Sequence, residues 1–278
     1  MKSYRKELWF RVPEIIEVRL DGEAQKGVYP KDVILEVLGR IRADGAVYKA
    51  IDFTGSYVEK LNVAGRMTIC NMAVEMGAKT AYMQPNADVL NYVDKRAVRP
   101  YEVQFTDPDF QYEESYVFDV SKIEPNLACP SSVENVHPLS EVVANGPIKL
   151  NQGYIGSCTG GRVEDIAIAA KILKGRHIPE YTRLIVVPAS NEVMQECMKA
   201  GYIQDLMNAG ATITTPGCGA CLGAHEGILA PGEVCITSTN RNFPGRMGST
   251  EALMYLASPA TVAASMVNGC ITDPREFL

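Results

Sequence analysis

The chain has 278 residues, enough to bury a sizeable core as one large α/β domain or two smaller ones. Its 46% hydrophobic and 22% charged residues match an ordinary soluble protein and argue against a disordered chain or a disulfide scaffold. With 27 Lys and Arg against 33 Asp and Glu, the net charge of −6 disfavours non-specific binding of nucleic acid or an anionic membrane; an acidic ligand would have to meet a local cluster of Arg.

At the N-terminus, MKSYRKELWF lacks the apolar core of a signal peptide. No apolar run approaches the roughly 18 residues needed to cross a bilayer, so the expected location is the cytoplasm. The segment ELWFRVPEIIEVRLDG reads as a strand. A helix is predicted from Pro30 to Ile41, with Val33, Ile34, Val37, Leu38 and Ile41 on one face and Pro30 in its first turn. A second helical run covers Met67 to Met76 and stops at Gly77, before strand-like TAYMQP.

From Pro85 to Pro130 the pattern weakens into polar and aromatic stretches, read as the end of a first unit and a connection, with a boundary near residue 122. Beyond Ile148 short β-runs (GYIGS, RLIVVP, ATITTP, EVCITST) alternate with helical runs (VEDIAIAAKILKG, NEVMQECMKAG, ATVAASMVNG). Such alternation predicts an α/β fold with a parallel-type sheet covered by helices.

Three unusual loops each follow a predicted strand: Gly156-Ser157-Cys158-Thr159-Gly160-Gly161, Pro216-Gly217-Cys218-Gly219-Ala220-Cys221, and Asn240-Arg241-Asn242-Phe243-Pro244-Gly245-Arg246. Ligands of open α/β sheets bind beyond the carboxyl ends of the strands, so the three loops are expected to share one pocket. Eight Cys in a chain without an export signal suit reduced thiols and metal ligands. Cys70, Cys129, Cys197, Cys235 and Cys270 sit in apolar or helical contexts and read as structural.

As a bare C-x-x-C pair, Cys218 and Cys221 equally suit two reduced thiols in a tight turn, a zinc site or a redox pair. A structural zinc wants four ligands, and one further loop cysteine, Cys158, has a matching Gly-rich setting. Three thiolates on a [4Fe–4S] cluster would leave one iron open as a Lewis acid, a catalytic rather than electron-carrying arrangement. Arg241 and Arg246, around a Pro-Gly bend, offer planar forks for carboxylates, although two surface arginines would look the same. Asn71 and Glu75, four apart on one helix face, read by themselves as an exposed polar stripe.

The segments IGSCTGGRVED, TPGCGACLG, TSTNRNFPGRMGS and YLASPATVAASMVNGCITDPRE, with LWFRVPE, DGAVYKAIDFTG and RMTICNMAVEMGA, resemble the aconitase superfamily in ordered array over nearly the whole chain. The resemblance is strongest to the large subunits of 3-isopropylmalate dehydratase and homoaconitase. It implies two α/β/α lobes with mostly parallel sheets, residues 1–122 as a middle lobe and 123–278 as the cluster-binding lobe. It further implies Cys158, Cys218 and Cys221 as ligands of a [4Fe–4S] cluster, Asn71, Glu75 and Asn240 as cluster-side catalytic groups, and Arg241 and Arg246 as substrate binders.

The implied activity is a hydro-lyase that isomerises a hydroxy-polycarboxylate, with 2-isopropylmalate to 3-isopropylmalate in leucine biosynthesis as the leading case. Homoaconitase, dimethylmalate dehydratase and a non-catalytic Fe–S or apo regulatory module are the alternatives. The resemblance also implies a small swivel-domain subunit that brings a Ser base, and an N-terminal lobe with His and Asp residues that this chain lacks; His137, His177 and His225 match none of them. One departure stands inside the motif: members usually read CTN, where this chain has Gly160 after Thr159.

Overall fold

The computed structural model describes residues 9–278. Of the strand expected over ELWFRVPEIIEVRLDG, the first two residues lie outside the described residues, and residues 9–14 form no strand; β1 is Ile15–Asp21. There follow α1 (Pro30–Ile41), β2 (Ala50–Thr54), α2 (Ser56–Lys60), α3 (Val63–Met72), β3 (Thr80–Tyr82), α4 (Ala87–Asp94) and β4 (Glu114–Asp119). The four strands form a parallel sheet in the order β3-β2-β1-β4.

Helix α1 has the bounds its pattern predicts. Pro30 opens it where no N–H is needed, and Asp32 Oδ2 accepts the Tyr29 backbone N–H at 2.8 Å. Its apolar stripe packs with Ile16, Val18 and Leu20 of β1, all buried. Helix α3 starts on Asn62, whose side chain accepts from Gly65 N, and runs on as a 3-10 turn over Ala73–Met76. Gly77 then ends it at φ +82°, in the left-handed region that favours glycine.

The stretch read as a connection, 85–130, holds real elements: α4, β4 and a short strand at Asn126–Ala128. β4 pairs with β1 over six residues, from Ile16↔Glu114 to Asp21↔Asp119. Its period is weak because an apolar residue stands on the uncovered side: Phe118 is buried, while Ser115, Val117 and Asp119 are exposed.

The second sheet comprises β5 (Asn126–Ala128), β6 (Val136–Pro138), β7 (Gln152–Gly156), β8 (Arg183–Val187), β9 (Ala211–Ile213), β10 (Val234–Thr237) and β11 (Leu253–Leu256). Between and after them lie α5 (Leu139–Ala144), α6 (Val163–Leu173), α7 (Asn191–Lys199), α8 (Tyr202–Asn208) and α9 (Pro259–Asn268). The order is β6-β5-β11-β10-β7-β8-β9; β11 to β9 run parallel, and the short β5 and β6 are antiparallel at one edge. The architecture is therefore mixed α/β with mostly parallel sheets, as expected. Among the described residues no helix is long and apolar enough to cross a membrane.

The two sheets meet through α1. Asp32 Oδ1 accepts the N–H of Asn126 at 3.1 Å, and Asn126 Nδ2 donates back to the Asp32 carbonyl at 3.3 Å, all out of solvent. Ala128 and Leu256 of the second sheet complete the core of the first. The start of α1 and the end of α3 thus face the carboxyl ends of β7 and β10.

Candidate functional site

The loop after β7 turns sharply at Ser157, which takes φ +64° although it is not glycine. Its Oγ is buried without a partner among the described residues, and the next residue, Cys158, is exposed. Gly160 lies so close to β10 that a Cβ there would stand 2.1 Å from Ser238 Oγ and 2.5 Å from Ser238 Cβ. Any side chain at this point, the Asn of the resembled pattern included, would require Ser238 to shift.

The loop after β9 carries the other two thiols on a 3-10 turn at Gly219–Leu222, where Cys221 N donates to the Cys218 carbonyl at 3.0 Å. Gly219 takes φ +50°, and a Cβ there would meet Tyr154 Oη at 2.6 Å. That hydroxyl donates to the Cys218 carbonyl at 2.7 Å, tying the turn to β7. Burial raises the Tyr154 pKa, and negative charge on nearby cysteines, Cys221 first, raises it further. Cys158 and Cys218 are exposed and Cys221 is buried.

The third loop, after β10, is anchored by Asn242, a buried side chain whose Nδ2 donates to the carbonyls of Ala128, Cys129 and Met254 at 3.2, 2.8 and 3.3 Å. Asn240 Nδ2 donates to Asn71 Oδ1 at 2.9 Å and lies 3.7 Å from Cys158 Sγ, which is itself 3.6 Å from Asn71 Oδ1. Thr159 Oγ1 donates to Asn240 Oδ1. Arg241 Nε lies 2.9 Å from both oxygens of Glu75, whose side chain is only 8% exposed. Glu75 and nearby thiolate charge raise the Arg241 pKa, which keeps the guanidinium charged. Arg246 Nη2 sits 4.0 Å from Cys221 Sγ, and its Nε is buried with no partner among the described residues.

The structure brings Cys158, Asn71 and Asn240 together, sets Glu75 against Arg241 and Arg246 against Cys221, and ties the Cys218 carbonyl to β7 through Tyr154. Asn71 and Glu75 are not a solvent stripe: both are partnered by the third loop. Among the described residues, no three His, Cys, Asp or Glu are placed to hold a single metal ion. A cavity of about 610 Å³ lies elsewhere, between α3, α4, α6 and α7, with Asn62, Arg96, Arg162 and Glu192 in its walls.

The remaining cysteines differ. Burial pushes the Cys70 and Cys197 thiols up to about 11 and Cys235 up to about 12, so they stay protonated and make poor metal ligands. Sequence reasoning missed Lys31. It is 1% exposed, and Nζ donates to the carbonyls of Thr239 and Ser238 at 2.6 and 3.1 Å and to Thr159 Oγ1 at 3.5 Å. Burial pulls its pKa down to about 8, and negative charge on Cys158 and Cys221 opposes that fall. One signal was available: Lys31 shares the helix face of Ile34, Leu38 and Ile41, where the 3.6 period calls for an apolar residue.

Comparison with known proteins bears on this site. The chain is 48% identical over 268 residues to the probable methanogen homoaconitase large subunit of Methanothermobacter thermautotrophicus, covering 96% of this chain and 62% of that protein. It is 51% identical over 275 residues to the 3-isopropylmalate dehydratase large subunit 1 of Methanopyrus kandleri, covering 98% and 64%. It is 47% identical over 271 residues to the probable methanogen homoaconitase large subunit of Methanosarcina mazei, covering 98% and 68%. The chain thus spans a little under two thirds of the first two relatives. The holo form of Thermococcus kodakaraensis aconitase X overlays with a TM-score of 0.47 at 11% identity, over 86% of this chain and 54% of that one. Residues 4–269 match the model of the aconitase family (aconitate hydratase), and with these relatives the match establishes that the chain belongs to that family.

Proposed function

We propose that the chain is the cluster-holding part of an aconitase-family hydro-lyase that isomerises a small hydroxy-polycarboxylate, with 2-isopropylmalate as the leading substrate. The observation that carries this reading is that Asn71 and Asn240 close on Cys158, Glu75 on Arg241 and Arg246 on Cys221 where the two sheets meet. The two sheets, with the passage between them at 119–126, support residues 1–122 as a middle lobe and 123–278 as a cluster-binding lobe.

The donor set fits an iron–sulfur cluster. Cys158, Cys218 and Cys221 would hold it, with the buried, unpartnered Ser157 Oγ and Arg246 Nε beside them as donors to an anion. When bound, a [4Fe–4S] cluster with one iron free of protein sulfur supplies a Lewis acid. Arg241 makes its protein hydrogen bonds through Nε, among the described residues, which leaves its terminal nitrogens for a substrate carboxylate. The same contact fixes Glu75, whose oxygens can then take or return a proton beside the substrate hydroxyl. Arg246 contributes a second cation next to Cys221.

Further acid–base groups would come from a small subunit and from another lobe. The test is anaerobic reconstitution with iron and sulfide, addition of small subunits from isopropylmalate and homoaconitate enzymes, and an assay of isomerisation. Turnover with one partner is expected; a formed cluster without turnover under any partner would reduce the chain to a non-catalytic module.

A further inference from the structure

Lys31 is a buried ammonium whose three donors are all met by neutral oxygens: two backbone carbonyls and one hydroxyl. Among the described residues no carboxylate lies within ion-pair distance of its Nζ. A fully buried charge without a counterion is expensive, because desolvation is not offset by a partner. Position aggravates the cost: Lys31 lies at the start of α1, where the helix dipole is already positive. The nearby groups able to offset it are Cys158, Cys221, Asp165, Glu75 and the adjacent Asp32, whose carboxyl burial pushes up to about 7; negative charge on the two thiols opposes the burial effect more than Asp165 or Glu75 does.

The oxygens that hold Lys31 belong to the residues that frame the site. Thr159 follows Cys158, and the Ser238 and Thr239 carbonyls immediately precede Asn240. We infer that Lys31 is the buried counter-charge of an anionic group held by Cys158, Cys218 and Cys221, and that it positions the 238–240 turn beneath that group. The inference rests on the cluster reading above and deepens it. Three thiolates and a [4Fe–4S]²⁺ core carry one net negative charge, which is the charge the ammonium lacks. The interaction strengthens when the cluster gains an electron, so Lys31 favours the reduced form and slows oxidative loss of iron. It is a positioning and tuning residue, behind the thiols rather than in contact with substrate.

The experiment compares the full-length wild-type chain with K31Q, which keeps an N–H donor without charge, and K31R, which keeps the charge. All three are reconstituted anaerobically with iron and sulfide; the readouts are iron per folded chain, midpoint potential by EPR-monitored titration, and the rate of iron loss in air. K31Q is expected to show a lower potential and at least about tenfold faster iron loss, with K31R close to wild type. Potential and loss rate unchanged in K31Q, or shifted as far in K31R as in K31Q, would overturn the proposal. A K31Q chain that does not fold without metal would overturn it too, since Lys31 would then be holding the fold. Failure of the wild-type chain to take up iron removes the cluster reading itself, and is distinct from an unmoved K31Q potential.

Discussion

The two sheets solve burial differently, and the difference assigns their roles. Strand β7 is buried along its whole length, with helices on the sheet and loops closing its carboxyl edge. Strand β1 alternates, with Ile16, Val18 and Leu20 inward and Glu17, Arg19 and Asp21 toward solvent. A parallel sheet covered on both faces leaves its strand ends as the place for polar chemistry, and there the second sheet puts its thiols and arginines. The first sheet contributes from its helical side alone: Lys31 from the start of α1, Asn71 from α3 and Glu75 from the turn that follows. On the proposed reading the second sheet would supply the thiols and arginines, and the first would add Asn71, Glu75 and the countercharge.

The harshest way to break this comparison is to remove thiols region by region. Cys158→Ser, Cys218→Ser or Cys221→Ser should each abolish stable iron binding after reconstitution, measured as iron per chain and visible absorbance. Cys235→Ser, in the middle of β10, should keep wild-type iron content while losing about 1–3 kcal/mol of stability from a buried hydroxyl. Iron lost equally from Cys235→Ser would mean that fold integrity, not ligation, governs uptake.

A milder test sets one strand of each sheet against the other. Ile155 in β7 is fully buried, so Ile155→Ala should cost about 3 kcal/mol through lost burial and the cavity left behind. Val117 in β4 is 57% exposed, and Val117→Ala should change stability by no more than about 0.5 kcal/mol. Denaturant unfolding of the two variants decides it. A large Val117 effect would show that the open side of the first sheet is covered in solution.

The same contrast explains what the sequence could reveal. Helix α1 was legible to the residue because an apolar stripe, a starting proline and a capping aspartate agree. Strands β7, β8 and β10 were legible to within one or two residues, because short runs between turn residues mark burial on both faces. Strand β4 was not, since exposed Val117 between Tyr116 and Phe118 blurs the alternation a one-sided strand would show. The thiol loops stood out by glycine and cysteine spacing, but Asn71 and Glu75 looked like surface until their partners were known. Asn71 meets Cys158 across 87 residues and Asn240 across 169, contacts that no local pattern encodes. Lys31 was missed because a lysine after a helix-opening proline looks solvated, and its burial depends on the second sheet.

The last test lies where the two regions touch. Burial pushes the Asp32 carboxyl up to about 7, against the hydrogen bonds from Tyr29 and Asn126 that favour its charged form. An unfolded aspartic acid loses its proton near pH 4, roughly, so between about 4 and 7 the folded state holds more protons than the unfolded one. The stabilising effect of that proton is complete below about pH 4 and is lost as pH rises through about 7. Stability should fall across that window, by at most about 1.4 kcal/mol per pH unit from this group. Asp32→Asn should lower stability at acid pH, since one amide N–H then faces a backbone donor, yet flatten the slope from pH 4 to 7 in urea melts. A slope unchanged in Asp32→Asn would mean that the carboxylate stays ionised at the junction, and that the α1 start carries a compensated pair of charges rather than a lone ammonium awaiting one.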